Sequence, residues 1–180
     1  TQTLAQSKPK SMRVNFTGQL RNGVYAKDMI LALIGKVGAQ GGIGYAVEYA
    51  GSAVESLPIE GRLTLCNMSI EFSAKYGFVP PDEVTIAYLK GREFSPKGEQ
   101  WDQAEKHWRS LATDSGAVFD REVTIDCDTL EPQVTWGINP QQVSSIGAMV
   151  PEPSTAVDGE ARQLGEKALA YMRLDAGTAL

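Results

Sequence analysis

The sequence is poor in the residues that most often build metal sites and catalytic dyads, with two cysteines and one histidine in 180 residues. Cys66 and Cys127 lie 61 positions apart (127 − 66) and neither belongs to a Cys-x-x-Cys pair, so neither a disulfide framework nor a metal knuckle is predicted. Unpaired cysteines favour a reducing compartment, and we expect a cytoplasmic protein. His107 lies between Lys106 and Trp108 on a predicted helix. We expect it to be an exposed or packing residue rather than a catalyst, because no second element points to it.

Long apolar runs and an excess of basic charge are also missing. No stretch approaches 18 apolar residues and the N-terminus lacks a charged region followed by an apolar core, so no membrane span or signal peptide is predicted. The net charge of −5 weighs against binding to nucleic acid or to an anionic membrane. A hydrophobic content of 42% and a charged content of 22% are typical of folded globular domains, and we treat residues 1–180 as one α/β segment.

Strand and helix patterns alternate along the chain. Met12, Val14 and Phe16 alternate with polar residues as in a half-buried strand, whereas Met29, Ile30 and Leu33 recur at helical spacing. The predicted strands are 12–19, 45–50, a short piece at 78–79, 121–127 and 132–137; the predicted helices are 26–37, 51–57, one opening at Glu60, one at 83–89, 101–111 and 159–172. Residues 139–155, with three prolines, are predicted to run over the surface. The alternation favours a layered α/β domain with a mixed or parallel sheet.

The glycine-rich link at residues 38–44 invites comparison with a phosphate-binding loop. Such a loop follows a strand and opens a helix, whereas this link follows the helix at 26–37 and precedes the strand at 45–50. We therefore interpret its glycines as a helix C-cap and a tight turn.

Asn67 and Glu71 are the polar pair around which we organise the functional interpretation. The interior of the stretch 60–77 has a helical pattern, and on a helix residues four apart share one face about one turn apart, here next to the small Ala74. Such a pair fits a polar site, but it also occurs on ordinary solvated helices. The spacing alone leaves both interpretations open.

Five motifs along the chain carry a family resemblance. The motifs are Ala26-Lys27-Asp28-Met29-Ile30-Leu31, Gly41-Gly42-Ile43-Gly44, the run from Glu60 to Glu71, Pro80-Pro81-Asp82-Glu83, and Pro132-Gln133-Val134-Thr135-Trp136-Gly137. Each motif alone is weak, but in their order and spacing they resemble the aconitase superfamily over nearly the whole chain. Within that superfamily they are most similar to the large subunits of isopropylmalate isomerases.

The resemblance implies a layered α/β/α aconitase-type fold and a hydro-lyase that removes water and adds it back one carbon over. In this branch the reaction interconverts 2-isopropylmalate and 3-isopropylmalate in leucine biosynthesis. It also implies a [4Fe-4S] cluster held by three cysteines, with one iron open to substrate as a Lewis acid, and a separate small subunit as partner. Two alternatives stay open: an aconitase or homoaconitase, and a non-catalytic module that keeps the fold.

By the same resemblance, Asn67 hydrogen-bonds near the cluster and Glu71 belongs to the network around bound water or the substrate hydroxyl. Cys66 and Cys127 are not expected to be ligands, because the family's cluster cysteines lie in a Cys-Thr-Asn-Ser-Arg stretch and a later Cys-x-x-Cys that this sequence lacks. We expect those cysteines after Leu180 and an Asp-Ser-His-Thr stretch before Thr1. The chain then corresponds to a central segment, expected to bind no cluster and to be inactive alone.

Overall fold

The computed structural model describes residues 2–155 and 159–180 of the chain. Its strands are β1 (Lys10–Thr17), β2 (Tyr45–Ala50), β3 (Tyr76–Phe78), β4 (Arg121–Asp126), β5 (Gln133–Thr135) and β6 (Val143–Ser145). Its α-helices are α1 (Ala26–Val37), α2 (Ser52–Glu55), α3 (Ile59–Asn67), α4 (Glu83–Leu89), α5 (Glu99–Arg109) and α6 (Gly159–Met172), with a short 3₁₀ turn at Pro153–Thr155.

Four strands form a parallel sheet in the order β3-β2-β1-β4. Met12 of β1 lies opposite Val47 of β2 on one side and opposite Arg121 of β4 on the other, and every pairing in this sheet is parallel. The helices α1, α2 and α3 follow β1 and β2 and make the crossovers that parallel neighbours require. After β3 the chain crosses to the opposite edge of the sheet, so the strand order reverses between β1 and β4.

The core lies between the sheet and its helices. Met12, Val14 and Phe16 of β1 are fully buried, and they pack in one cluster with Met29 and Leu33 of α1. The alternation of β1 and the helical spacing of α1 therefore have the physical cause assumed from the sequence: each places its apolar side chains on the face that meets the other. The α/β prediction is confirmed, and the main sheet is parallel throughout.

Several boundaries agree with the sequence prediction, and one strand was missed. The helices at 26–37 and 159–172 and the strand at 45–50 begin and end as predicted, and His107 is exposed on α5. The surface excursion at 139–155 contains β6, which pairs antiparallel with β5 to form a two-stranded ribbon. β6 has only three residues, all half-buried, so the sequence shows no apolar alternation from which this strand could be predicted.

The glycine-rich link has the predicted cap and a second use. Gly38 ends α1 with φ 86°, a backbone conformation that favours glycine. Gly42 serves a close approach instead: a Cβ there would lie 2.7 Å from the carbonyl oxygen of Phe72. The link therefore brings the chain after α1 against the turn that follows α3.

Within residues 2–155 and 159–180, no helix combines the length and the apolar character needed to cross a membrane.

Candidate functional site

The helix that carries Asn67 ends at Asn67, which corrects the sequence interpretation. Asn67 is the last residue of α3, Met68 is its C-cap, and Glu71 lies in the turn that follows. The prediction that Asn67 and Glu71 share one helix face is therefore wrong. The cause is competition for backbone hydrogen bonds: the carbonyl of Phe72 accepts from Gly42 (2.9 Å), and Ser73 takes φ 62°.

Ser69 ties the turn at residues 68–73 to the sheet. Its buried Oγ donates to the carbonyl of Leu65 (3.1 Å) and lies 2.7 Å from the hydroxyl of Tyr49. Because a serine has one hydroxyl proton, the Tyr49 hydroxyl is the donor in this second bond. Burial raises the pKa of Tyr49 well above its ordinary value, so the phenol stays protonated and can donate. Sequence reasoning missed both residues, since nothing in their local patterns joins them.

Gly77 and Phe72 hold the same turn from two further directions. A Cβ at Gly77 would lie 2.0 Å from Ser69 Oγ and 2.7 Å from a ring carbon of Tyr49, so only glycine fits on β3 at this point. Phe72 is fully buried against Gly41 and Gly42 of the glycine-rich link. The turn is consequently fixed to β2, β3 and the link after α1, and the residues on it are held in place.

Asn67 and Glu71 line one open depression of about 470 Å³, together with Lys27, Leu63, Thr64 and Met68. The structure thus brings the two predicted site residues together, although by a turn and not by a helix. Both side chains are exposed, and among the described residues neither has a hydrogen-bond or ion-pair partner. The free amide of Asn67 can donate a hydrogen bond to a bound hydroxy acid. The free carboxylate of Glu71, on the rigid turn, can accept a proton from it. Lys27, which also lines this depression, was not singled out from the sequence.

The cysteines do not fit an iron–sulfur cluster. Cluster ligation takes several thiolates, whereas the chain has only two cysteines, and no three His, Cys, Asp or Glu side chains of the described ranges could hold a metal together. Burial raises the pKa of Cys66, partly offset by a hydrogen bond from the backbone of Val79. Burial, then Asp126 and Asp128, raise the pKa of Cys127 to about 11. Cys127 is fully buried, and both thiols stay protonated at neutral pH.

Arg62 is a buried cation that joins two of the motifs. Its guanidinium donates to the carbonyls of Leu57 (3.1 Å) and Glu55 (2.9 Å) and to the carboxylate of Asp82 (2.5 Å). Asp82 also caps α4 by accepting from the backbone of the next helical turn. The charge of Arg62 is therefore fully paired and serves the fold, linking α3 to α4.

Asp82 responds to this pairing in its titration. Burial raises its pKa, but the hydrogen bond from Arg62 and those from the backbone of Thr85 and Val84 together lower it more, so the pKa of Asp82 lies below its ordinary 3.8. The ionised carboxylate therefore stabilises the folded state above pH 3.8. This contribution is lost as the pH falls through the lower pKa of the folded state.

Replacing Asp82 with alanine is expected to lower the free energy of unfolding by about 3 kcal/mol, because the buried Arg62 loses its charged partner and α4 loses its cap. Urea unfolding of the complete protein measures this loss. Asp82→Asn keeps a capping oxygen and should lose less. The gap between wild type and Asp82→Asn should narrow as the pH falls below 3.8. A gap that widens in acid would contradict this assignment.

Comparison with known proteins agrees with the motifs. The family model described as "Aconitase family (aconitate hydratase)" matches residues 1–180. The chain is 54% identical over 177 residues to the 3-isopropylmalate dehydratase large subunit 1 of Bradyrhizobium diazoefficiens. The aligned region covers 98% of this chain and 37% of that protein. The chain thus spans well under half the length of this curated relative. It belongs to the aconitase family.

Proposed function

We propose that this chain is the part of a hydro-lyase that supplies one wall of its active site. The complete enzyme interconverts 2-isopropylmalate and 3-isopropylmalate by dehydration and rehydration in leucine biosynthesis. The observation that carries the proposal is the depression shared by two free polar side chains, Asn67 at the end of α3 and Glu71 on the clamped turn that follows. The 54% identity to an isopropylmalate dehydratase large subunit supports this choice of substrate over citrate or homocitrate.

Glu71 is the group proposed to move a proton. Its carboxylate has no competing partner among the described side chains, so it is free to accept a proton from the substrate or to hydrogen-bond the water that leaves and returns. Asn67 would donate its amide to an anionic or hydroxyl oxygen and so orient the substrate beside Glu71. Cys66, one residue before Asn67, is given no part, because its thiol is protonated and accepts a hydrogen bond from the backbone of Val79.

The rest of the machinery is proposed to lie outside these residues. Aconitase-family enzymes generally carry a [4Fe-4S] cluster, and we infer that the complete enzyme holds it through cysteines beyond this segment, since Cys66 and Cys127 do not fit it. The relative's name as a large subunit supports pairing with a small subunit that adds substrate contacts. Two unpaired thiols support a reducing, cytoplasmic setting.

Genetic complementation tests the function. The complete protein, expressed with its small subunit in a bacterium lacking isopropylmalate isomerase, is expected to restore growth without leucine. The Glu71→Gln form should fail to do so at equal protein level. Growth restored only in a strain that lacks aconitase would contradict the proposal and favour the citrate enzyme. If growth is restored in neither strain, the result would favour the alternative of a non-catalytic module.

The 180 residues expressed alone are expected to hold no cluster and to show no isomerase activity, because the chain has fewer cysteines than the three that the cluster needs. Anaerobic reconstitution with iron and sulfide, followed by iron and sulfide analysis and a turnover assay, measures both. The complete protein treated in parallel is the positive control. Stoichiometric cluster and turnover in the isolated segment would overturn the expectation.

A further inference from the structure

Lys27 lies where three depressions of the surface meet. It lines the depression of about 470 Å³ with Asn67 and Glu71, and a cavity of about 750 Å³ with Gly18 and Ser52, which follow β1 and β2. It also lines a depression of about 500 Å³ between α1 and β5. Of the described residues that line these spaces, Lys27 alone contributes to all three. A ligand placed against Asn67 and Glu71 therefore lies beside Lys27.

The position of Lys27 opposes the local preference for charge. It is the second residue of α1, and a cation near a helix N-terminus is unfavourable because the helix dipole is positive there. Residues that break a local rule without a structural gain are most often placed for function.

Lys27 also lacks a partner within the described part of the chain. No ion pair or hydrogen bond involves its side chain, although Glu60 and Glu71 line the same spaces. Other basic residues are engaged: Lys36 donates to the carbonyl of Thr124 (2.8 Å), and Arg62 is paired with Asp82. The cation of Lys27 is exposed and available.

The backbone beneath Lys27 is held from two sides by its neighbour Asp28. One carboxylate oxygen of Asp28 accepts from the backbone of Tyr25 (2.7 Å) and the other from the backbone of Gln133 in β5 (2.7 Å). The first turn of α1 is thereby fixed relative to the ribbon. Lys27 is a cation on a rigid support, the condition for binding an anion in a set geometry.

We propose that Lys27 binds a carboxylate of the substrate while Asn67 and Glu71 contact its hydroxyl group. This proposal rests on the function proposed above. The substrate is a dicarboxylate with one hydroxyl, and a neutral amide and a carboxylate provide no positive charge for it. An ammonium–carboxylate hydrogen bond provides that charge and is stronger than a neutral bond. Lys27 is therefore a substrate-binding residue that positions the hydroxyl end against Glu71.

Substitution of Lys27 in the complete enzyme, assembled with its small subunit, tests the proposal. Lys27→Met is expected to raise KM for 3-isopropylmalate by about 10- to 100-fold, with a smaller change in kcat. Lys27→Arg, which keeps the charge, should recover part of the affinity. Lys75→Met is the matched control, an exposed lysine just before β3 whose substitution should leave KM unchanged. None of the three variants should melt below the wild type, and Lys27→Met should melt at the same temperature or slightly higher, because it removes a cation from the helix N-terminus.

Three results would overturn the role of Lys27. They are an unchanged KM in Lys27→Met, an equal rise of KM in Lys75→Met, or a loss of substrate affinity that a lower melting temperature explains. Turnover by the wild type decides the proposed function separately. If the wild type acts on citrate instead, that function fails, but the same variants are compared on citrate, and a KM raised only in Lys27→Met still supports a carboxylate contact. If the wild type turns over neither isopropylmalate nor citrate, the affinity for isopropylmalate measured by calorimetry replaces KM. The proposal is overturned if wild type and Lys27→Met bind isopropylmalate equally, or if neither binds it.

Discussion

Replacing Glu71 with glutamine is expected to lower kcat for isopropylmalate isomerisation by about 10²- to 10⁴-fold, the range that a positioned acid or base contributes. The amide has nearly the shape of the carboxylate but cannot take up a proton. Glu71 is exposed on a turn and has no partner among the described residues, so its substitution should leave the folded state intact. Steady-state kinetics on the complete enzyme, with formation of the unsaturated intermediate followed by ultraviolet absorbance, measures the loss.

Glu93→Gln is the matched control for Glu71→Gln. Glu93 is an exposed glutamate in the loop between α4 and α5, and it is not among the residues that line the depression. Its substitution should leave kcat unchanged. Asn67→Ala should act more weakly than Glu71→Gln, because it removes an orienting donor and no proton acceptor. If Glu71→Gln were as active as Glu93→Gln, Glu71 would have no part in proton transfer.

Replacing Gly77 with alanine is expected to lower the free energy of unfolding by about 2 to 3 kcal/mol and kcat by up to about 100-fold. The new Cβ would stand 2.0 Å from Ser69 Oγ and 2.7 Å from Tyr49, so the turn must move. The same turn carries Glu71, the group proposed to move a proton, and a shift of about 1 Å at such a group is costly. Denaturant unfolding and steady-state kinetics on the complete enzyme measure the two effects.

Two variants separate this clash from the general cost of adding a methyl group. Gly159→Ala introduces a Cβ that meets nothing within 4 Å, so it should be close to neutral. The pair Ser69→Ala and Gly77→Ala should be less than additive, because removing the Ser69 hydroxyl removes one of the clashing atoms. Additive losses in the double variant would mean that the contact between Ser69 and Gly77 does not limit the turn.

The sequence predicted those elements whose packing is decided by their own residues. α1 has apolar residues at helical spacing, and the structure buries Met29, Ile30 and Leu33 of this helix completely. β1 alternates because its two faces differ in burial. In such elements a local pattern is enough, since the side chains of one face meet one neighbour.

The end of α3 could not be predicted in the same way. A helix continued through Phe72 would have kept Leu65 and Phe72 on one face, so the apolar pattern is compatible with it. The chain turns because Gly42 and Tyr49, which lie 20 or more positions away, supply hydrogen bonds to Phe72 and Ser69. Long-range contacts of this kind leave no periodic signal.

The motifs that carried the family resemblance divide into two kinds once they are placed. Arg62 and Asp82 belong to two of them and pair with each other inside the fold. Asn67, Glu71 and Lys27 belong to the same set of motifs and converge on one depression. The resemblance identified Asn67 and Glu71, but only the structure shows that Lys27, 40 positions before Asn67 (67 − 27), lies on the same wall.

The ratio of kcat/KM for 3-isopropylmalate to kcat/KM for citrate, measured on the complete large subunit assembled with its small subunit, tests the proposed function most directly. It should strongly favour isopropylmalate, and Glu71→Gln should lower kcat on that substrate while Glu93→Gln does not. A ratio that favours citrate, or a Glu71→Gln enzyme as fast as wild type, would contradict the proposal that this segment is a catalytic wall of an isopropylmalate isomerase.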